Sequence, residues 1–588
     1  MRLEHLGLIG NCQFSALIER SGDVAWCCLP RFDSEPIFST LLDEAAGGRF
    51  AIGPVDGSAG TQRYLDNSNV LETRFDTPEG SFRILDFTPR FMLHGRIFRP
   101  TQLYRLIEPI SGAPRVRVRC APRLGWSKQI PTELWGSHHI RYEGFAAQLR
   151  LTTDLPLSYL DARPFSLTER RHLVLTWGPP IEEPLEPLCD RFLHETLRYW
   201  QTWVKHCDVP PRYQHEVIRS ALALKLHCFE DTGAIIAAMT TSIPESAGSG
   251  RTWDYRYCWL RDAYYALGAF RLLGQFEERE NFTRFLMDLA GGAPDLKLAP
   301  LYRIDGSSEL TEHTLAHWPG FEGNGPVRIG NAAAQHLQHD IFGEMVLALT
   351  PAFLDERFAV DRSRSALALL EGLARRAIAV AGSPDAGIWE YRTEWQPQTF
   401  SSLMCWAAAD RMATVAARHN PNVAAEFAQA AQRIHSEICD RSFSTTLRSF
   451  VGRPGSEELD AALLQMVSLR FLPWSDPRLH DTVQAIARAL APSGWMFRYI
   501  IDDGFGQPQV AFIICMFWLI EALVRLGKQR EAEVAMTQAQ AALSPLGLLS
   551  EDYDTGNKRL WGNFPQAYSH VGLIHAAFAA SPSWAEVL

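Results

Sequence analysis

An N-terminal antiparallel β-sandwich followed by an (α/α)6 barrel is the fold that this 588-residue sequence predicts. Three observations predict it. Short alternating polar and apolar segments occupy roughly the first 180 positions. Twelve stretches of helical periodicity follow. The connections between those stretches alternate between long and short.

Among the strand-like segments, Arg115-Val116-Arg117-Val118-Arg119-Cys120 alternates strictly, Ser81 to Phe87 breaks alternation only at Leu85, and Ala146 to Leu151 is a third. Gly, Pro and Asp punctuate them at the spacing of a sandwich, and period-two alternation leaves one wet face, as in antiparallel sheets. The pattern changes near Trp177-Gly178-Pro179-Pro180. These features divide the chain into a β-sandwich over 1–187, a linker helix over 188–210 and a helical domain over 211–588.

In the helical domain, periodicity and breakers predict helices over 211–230, 257–273, 276–291, 332–354, 361–381, 400–419, 421–440, 456–469, 477–491, 508–527, 529–544 and 564–580. Short connections force antiparallel neighbours, so all six long loops fall at one end. The even-numbered helices are the more apolar and read as an inner ring; the odd ones read as an outer ring. Loops on a rigid scaffold usually carry function, which places a site at the long-loop end.

Composition narrows the function. With 46% hydrophobic and 21% charged residues the chain is globular, and its formal charge of −10 disfavours nucleic acid, which selects clustered Lys and Arg. No run of about 20 apolar residues suggests a membrane span, and no basic-then-apolar leader is visible. Eleven scattered cysteines without repeated CxxC spacing argue against a disulfide framework or a zinc site, which makes the cytoplasm the default location. His336, His339 and Asp340 have metal-like spacing but no evident third ligand, and read as structural or surface residues. A small neutral partner fits this composition; the 17 Trp supply faces for sugar rings, although large cores use Trp too. The sequence specifies no oligomeric state.

Two loop carboxylates stand out. Glu390 lies between Trp389 and Tyr391, a setting expected to desolvate it and raise its pKa. Glu551 lies among Ser550, Asp552 and Asp554, a wetter setting expected to keep it ionised. Such a pair suits acid/base cleavage of a glycoside. Taken locally, both also read as ordinary solvated loop residues. Trp259-Leu260-Arg261-Asp262 begins an inner helix, where Arg261 and Asp262 could bind sugar hydroxyls with Trp259 as a stacking face, or form a buried ion pair. Arg328 is open in the same way, as hydroxyl ligand or as loop pin.

The motifs that carry these residues resemble glycoside hydrolase family 15. They are Gly7-Leu8-Ile9-Gly10-Asn11 and Leu29 to Ser34 near the start, then Trp253 to Asp262, Pro326 to Asn331, Gly387-Ile388-Trp389-Glu390 and Gly562 to Ala567. The resemblance covers nearly the whole chain, and its N-terminal part is similar to the family's trehalase-like type. It implies the same sandwich and barrel, an inverting exo-acting α-glucosidase releasing β-glucose, Glu390 as general acid and Glu551 as general base. It further implies that Trp259, Arg261, Asp262, Arg328 and Trp389 bind substrate and that the chemistry needs no cofactor or metal. The implied substrate is α,α-trehalose first, malto- or isomalto-oligosaccharide ends second. Two departures bear on the acceptor side: Pro397-Gln398 with Ser401-Ser402 where relatives carry His-Phe and Ser-Lys, and Gln509-Val510 where they carry Glu-Gly. The competing readings are a glucoside phosphorylase on a similar barrel and a catalytically silent carbohydrate-binding protein.

Overall fold

The protein's structure, a computed structural model, describes residues 1–358, 362–392 and 394–588. Strands dominate up to Trp177, and every named pair among them is antiparallel. They form sheets of four, eight and three strands and one two-stranded ribbon. Strand Arg115–Ala121 alternates buried and exposed residues as its sequence predicts. Strand Gly80–Phe87 does not: it is buried on both faces because it lies inside the eight-stranded sheet, covered on each side. The segment expected to be a strand from Ala146 begins only at Leu149.

The connecting helix α1 (Leu185–Lys205) leads into α2 (Gln214–Leu226), and the chain is mainly helical from there. The following helices are α3 (Ala263–Leu272), α4 (Phe276–Gly292), α5 (Asp340–Leu354), α6 (Arg364–Val380), α7 (Thr399–His419), α8 (Pro421–Ser442), α9 (Gln465–Leu469), α10 (Pro477–Leu490), α11 (Ile513–Arg525), α12 (Gln529–Ala539) and α13 (Ala567–Ala580). Each of the twelve expected helices has a counterpart among α2 to α13; position 361, the expected start of the fifth, lies outside the described residues. Helices α3, α5, α7, α9, α11 and α13 are buried along most of their length, whereas α4, α6, α8, α10 and α12 bury one stripe. The buried helices pack in succession: α3 on α5, α5 on α7, α9 on α11, α11 on α13, and α13 back on α3.

Two expectations fail for physical reasons. The first helix was expected to face solvent, yet α2 is buried over most of its length because the N-terminal sheets cover it. Arg219 donates to the Ser68 carbonyl at 2.9 Å, and the Asn69 amide donates to the Leu222 carbonyl at 3.4 Å. Second, the inner helices start late. Helix was expected from 257, 332, 456, 508 and 564, but Cys258–Trp259 pairs as a strand with Leu301–Tyr302, and Ala511–Phe512 pairs with Asp552 and Tyr553. Apolar residues there satisfy the helical period, but loops rather than helices bury them. Those extended entries form the floor of the site.

Among the described residues no helix is long and apolar enough to cross a membrane.

Candidate active site

Glu390 sits on a loop closed at its base by the pairing of Pro384 with Pro397 and Asp385 with Gln396. The turn is tight: the Glu390 N–H donates to the Gly387 carbonyl and the Tyr391 N–H to that of Ala386. Glu390 itself has φ +57°, a left-handed conformation that costs a non-glycine residue about 1–2 kcal/mol. Such strain collects at functional positions. Trp389 holds the turn down. Its indole N–H donates to Asp460, at 2.9 Å to one oxygen, and its ring packs edge-on against Tyr499 and Phe512.

The Glu390 carboxylate therefore does not lie against its neighbouring aromatics. Trp389 is directed toward Asp460, and the Tyr391 ring packs on Tyr499. Glu390 Oε1 instead accepts from Trp259 Nε1 at 2.6 Å and from Arg261 Nη1 at 2.8 Å. The surroundings expected from local sequence are corrected: an indole N–H and a guanidinium from a distant loop, and not Trp389 and Tyr391, meet the carboxylate. Trp259 is 1% exposed, so its role here is a hydrogen bond to Glu390 and not the stacking face expected of it. Arg261 also donates to the Ile388 carbonyl at 2.9 Å and pairs with Asp262 at 3.2 Å. Burial pushes the Asp262 carboxyl up to about 6 even with that partner.

Glu551 arrives from the other side, just before strand Asp552–Asp554. Its carbonyl accepts the Ile513 N–H, tying it to the entry of α11. Gln566 Nε2 donates to its Oε1 at 3.3 Å, and the nearby Tyr255 hydroxyl favours its ionised form. Contrary to the wetter setting expected, Glu551 is 2% exposed, and its neighbours Ser550 and Asp552 are buried as well. Burial, then the charge of Glu245, pushes its carboxyl well above the usual range. A carboxyl that ionises late in the folded state and normally in the unfolded chain contributes stability at low pH, and that stability is lost as pH rises through the folded value. Glu551→Gln should consequently raise the melting temperature by roughly 2 °C at pH 8 and leave it near wild type at pH 5. Thermal unfolding at both pH values checks this, and an equal or lower melting temperature at pH 8 contradicts it.

Glu390 lines a hollow at the long-loop end together with Tyr255 and Gln566. Glu551 does not line it; it is buried just behind, bonded to Gln566. Arg261 acts on both carboxylates: it contacts Glu390 and lowers the titration of Glu551 through its charge. Trp389 lines the hollow too. Arg328 does not; its guanidinium donates to the carbonyls of Gly250 and Thr252 at 3.0 Å each, so the structure places it as a loop pin. His336, His339 and Asp340 form no metal site, and among the described residues no cluster of three or more His, Cys, Asp and Glu could hold a metal ion.

Sequence reasoning missed Glu245, Arg251, Arg392 and Arg498, which also line the hollow. Each of its arginines is paired: Arg251 with Asp503 at 2.6 Å, Arg261 with Glu390, Arg392 with Glu312 at 3.1 Å and Arg498 with Glu245 at 2.7 Å. Tyr255 and Gln566 stood inside recognised motifs and could have been singled out; nothing in the local sequence marks Arg498.

Comparison with known proteins matches residues 211–544 to the model described as glycosyl hydrolases family 15, and residues 1–146 to the one described as trehalase-like, N-terminal. A protein named trehalase from Mycolicibacterium smegmatis is 33% identical, across 97% of this chain and 90% of its own. Another so named, from Thermoplasma volcanium, is 31% identical across 98% and 93%. A bacterial glucoamylase solved in complex with acarbose superposes with a TM-score of 0.68 at 14% identity, covering 98% of this chain and 94% of that one, a likeness of fold alone. On the matched family model and the length of these relationships, the chain is a glycoside hydrolase and belongs to glycosyl hydrolases family 15.

Proposed function

We propose that this enzyme hydrolyses α,α-trehalose with inversion at the attacked carbon, with malto- and isomalto-oligosaccharide ends as poorer substrates. The observation that carries the mechanism is Glu390 in the wall of the hollow, with Glu551 behind that wall on the lining residue Gln566, each held by buried donors. What supports trehalose is the name borne by relatives that align over nearly the whole chain, together with the trehalase-like N-terminal match.

Glu390 is the general acid. Trp259 and Arg261 both donate to its Oε1, which leaves Oε2 to face the glycosidic oxygen. Arg261 and Asp262 are placed to take sugar hydroxyls. Glu551 is the general base, oriented by Gln566, and removes a proton from water attacking the opposite face of the ring. Inversion calls for carboxyl groups about 6.5–9.5 Å apart, enough to admit that water. Trp389 supports the wall of the glucosyl pocket, and Arg328 acts on substrate only by fixing the loops around it. No step needs a cofactor or metal.

A phosphorylase would need a free cationic site for phosphate. The guanidiniums lining the hollow are already paired with carboxylates. The succession of packed inner helices is the basis for assigning an (α/α)6 barrel over 211–588, preceded by a β-sandwich over 1–187 and a linker over 188–210. Eleven unpaired thiols suit a reducing compartment, hence the cytoplasm.

Turnover of trehalose, maltose, isomaltose and soluble starch, compared at equal glucosyl concentration, tests the substrate. Trehalose is expected to give the highest kcat/KM. Starch or maltose above trehalose would overturn that choice, and sugar binding without hydrolysis of any of the four would leave a binding protein.

A further inference from the structure

Glu312 lies in the long connection between α4 and α5, outside every recognised motif, yet it ties that connection to the loop of Glu390. Its Oε2 accepts the Ala332 N–H at 3.1 Å and Arg392 Nη2 at 3.1 Å. Its Oε1 is 3.4 Å from Arg392 Nη1 and 3.5 Å from Arg328 Nε. Both guanidiniums also lie over the Trp253 ring, at 3.9 Å for Arg392 and 4.6 Å for Arg328. One largely buried carboxylate thus binds two cations that share an aromatic face.

Arg392 is two residues beyond Glu390 and lines the same hollow. Without its carboxylate partner, two like charges would be left side by side over Trp253, and Arg392, the less constrained of the two, would gain by turning to another anion. Glu390, on the same turn and lining the same hollow, offers one: its Oε2 takes no bond from Arg261 or Trp259. We infer that Glu312 is a positioning residue that holds Arg392 away from Glu390, so that Arg261 is the only guanidinium on the general acid. This rests on the reading of Glu390 as that acid. A second guanidinium there would keep Glu390 ionised when substrate engages Arg261, and would drag on a turn that already carries a left-handed residue. The other groups in electrostatic reach of Glu390 are Arg261, Asp262, Tyr255, His336 and Asp340. Of these, His336 also feels Glu312 and Arg392, and the double variant separates its effect from that of a freed Arg392.

The test is the pH dependence of kcat on the best substrate of the panel, for wild type, Glu312→Gln, Glu312→Asp and the double variant Glu312→Gln/Arg392→Gln. A general acid works while protonated, so a freed Arg392 makes activity fall at lower pH. Glu312→Gln is expected to lower kcat about tenfold at pH 7 and to move the alkaline limb down by about one unit. The double variant should return that limb to its wild-type position. Glu312→Asp, one methylene shorter, should move it part of the way and serves if the Gln variant fails to fold. An unmoved limb in a folded single variant, even with kcat reduced, overturns the proposal, and so does a limb that stays low in the double variant. Failure of the underlying reading would show differently, as activity retained by Glu390→Gln.

Discussion

Glu390→Gln and Glu551→Gln should each lower kcat on the best natural substrate by about 10²–10⁴-fold, with KM changed far less. The two losses have different causes, and a second substrate separates them. Glu390 supplies a proton to the leaving oxygen, so its loss should be largely repaired with α-glucosyl fluoride, whose fluoride departs without protonation. Glu551 activates the water, which every substrate needs, so its variant should stay slow on the fluoride as well. Combining the substitutions should cost less than the product of the single effects, because the groups act in one transition state. Either variant keeping near-wild-type turnover of the natural substrate would remove its residue from the mechanism.

Gly562→Ala should be almost as damaging, although residue 562 performs no chemistry. Gly562 has φ +72°, and a Cβ built there would lie 2.6 Å from Glu551 Cβ and 2.9 Å from its Oε2. Glu551 is buried and fixed at its backbone by the bond to Ile513 and at its carboxylate by Gln566, so it has no easy direction in which to yield. A shift of about 1 Å in a catalytic group can cost about 10²-fold in rate. The left-handed backbone adds about 1–2 kcal/mol of strain for Ala. The expected result is a folded enzyme with kcat reduced about 10²-fold and KM within a few-fold of wild type. Unchanged kcat in a folded Gly562→Ala variant would mean that the position of Glu551 is not critical.

The order of helices was legible because periodicity and loop lengths are local properties. The strand-like entries to the inner helices were not, since Cys258-Trp259 and Ala511-Phe512 carry apolar residues that suit a helix equally well until Leu301-Tyr302 and Asp552-Tyr553 pair with them. The surroundings of the two glutamates were not legible for a related reason. Neighbours in sequence need not be neighbours in space: Trp389 and Tyr391 are directed away from the Glu390 carboxylate, which meets Arg261 from 129 positions earlier. The polar companions of Glu551 are themselves buried, so polarity of sequence did not mean contact with water. Arg498 and Glu312 carried no local mark, because what distinguishes them is the set of distant loops they join.

Proton NMR of the glucose first formed from α,α-trehalose, recorded before mutarotation, tests most directly whether the two carboxylates act from opposite faces of the ring. Attack with inversion yields one β-glucose from the attacked unit and one α-glucose from the departing unit, so equal amounts of the two anomers are predicted. Fresh product that is α-glucose alone would contradict the account.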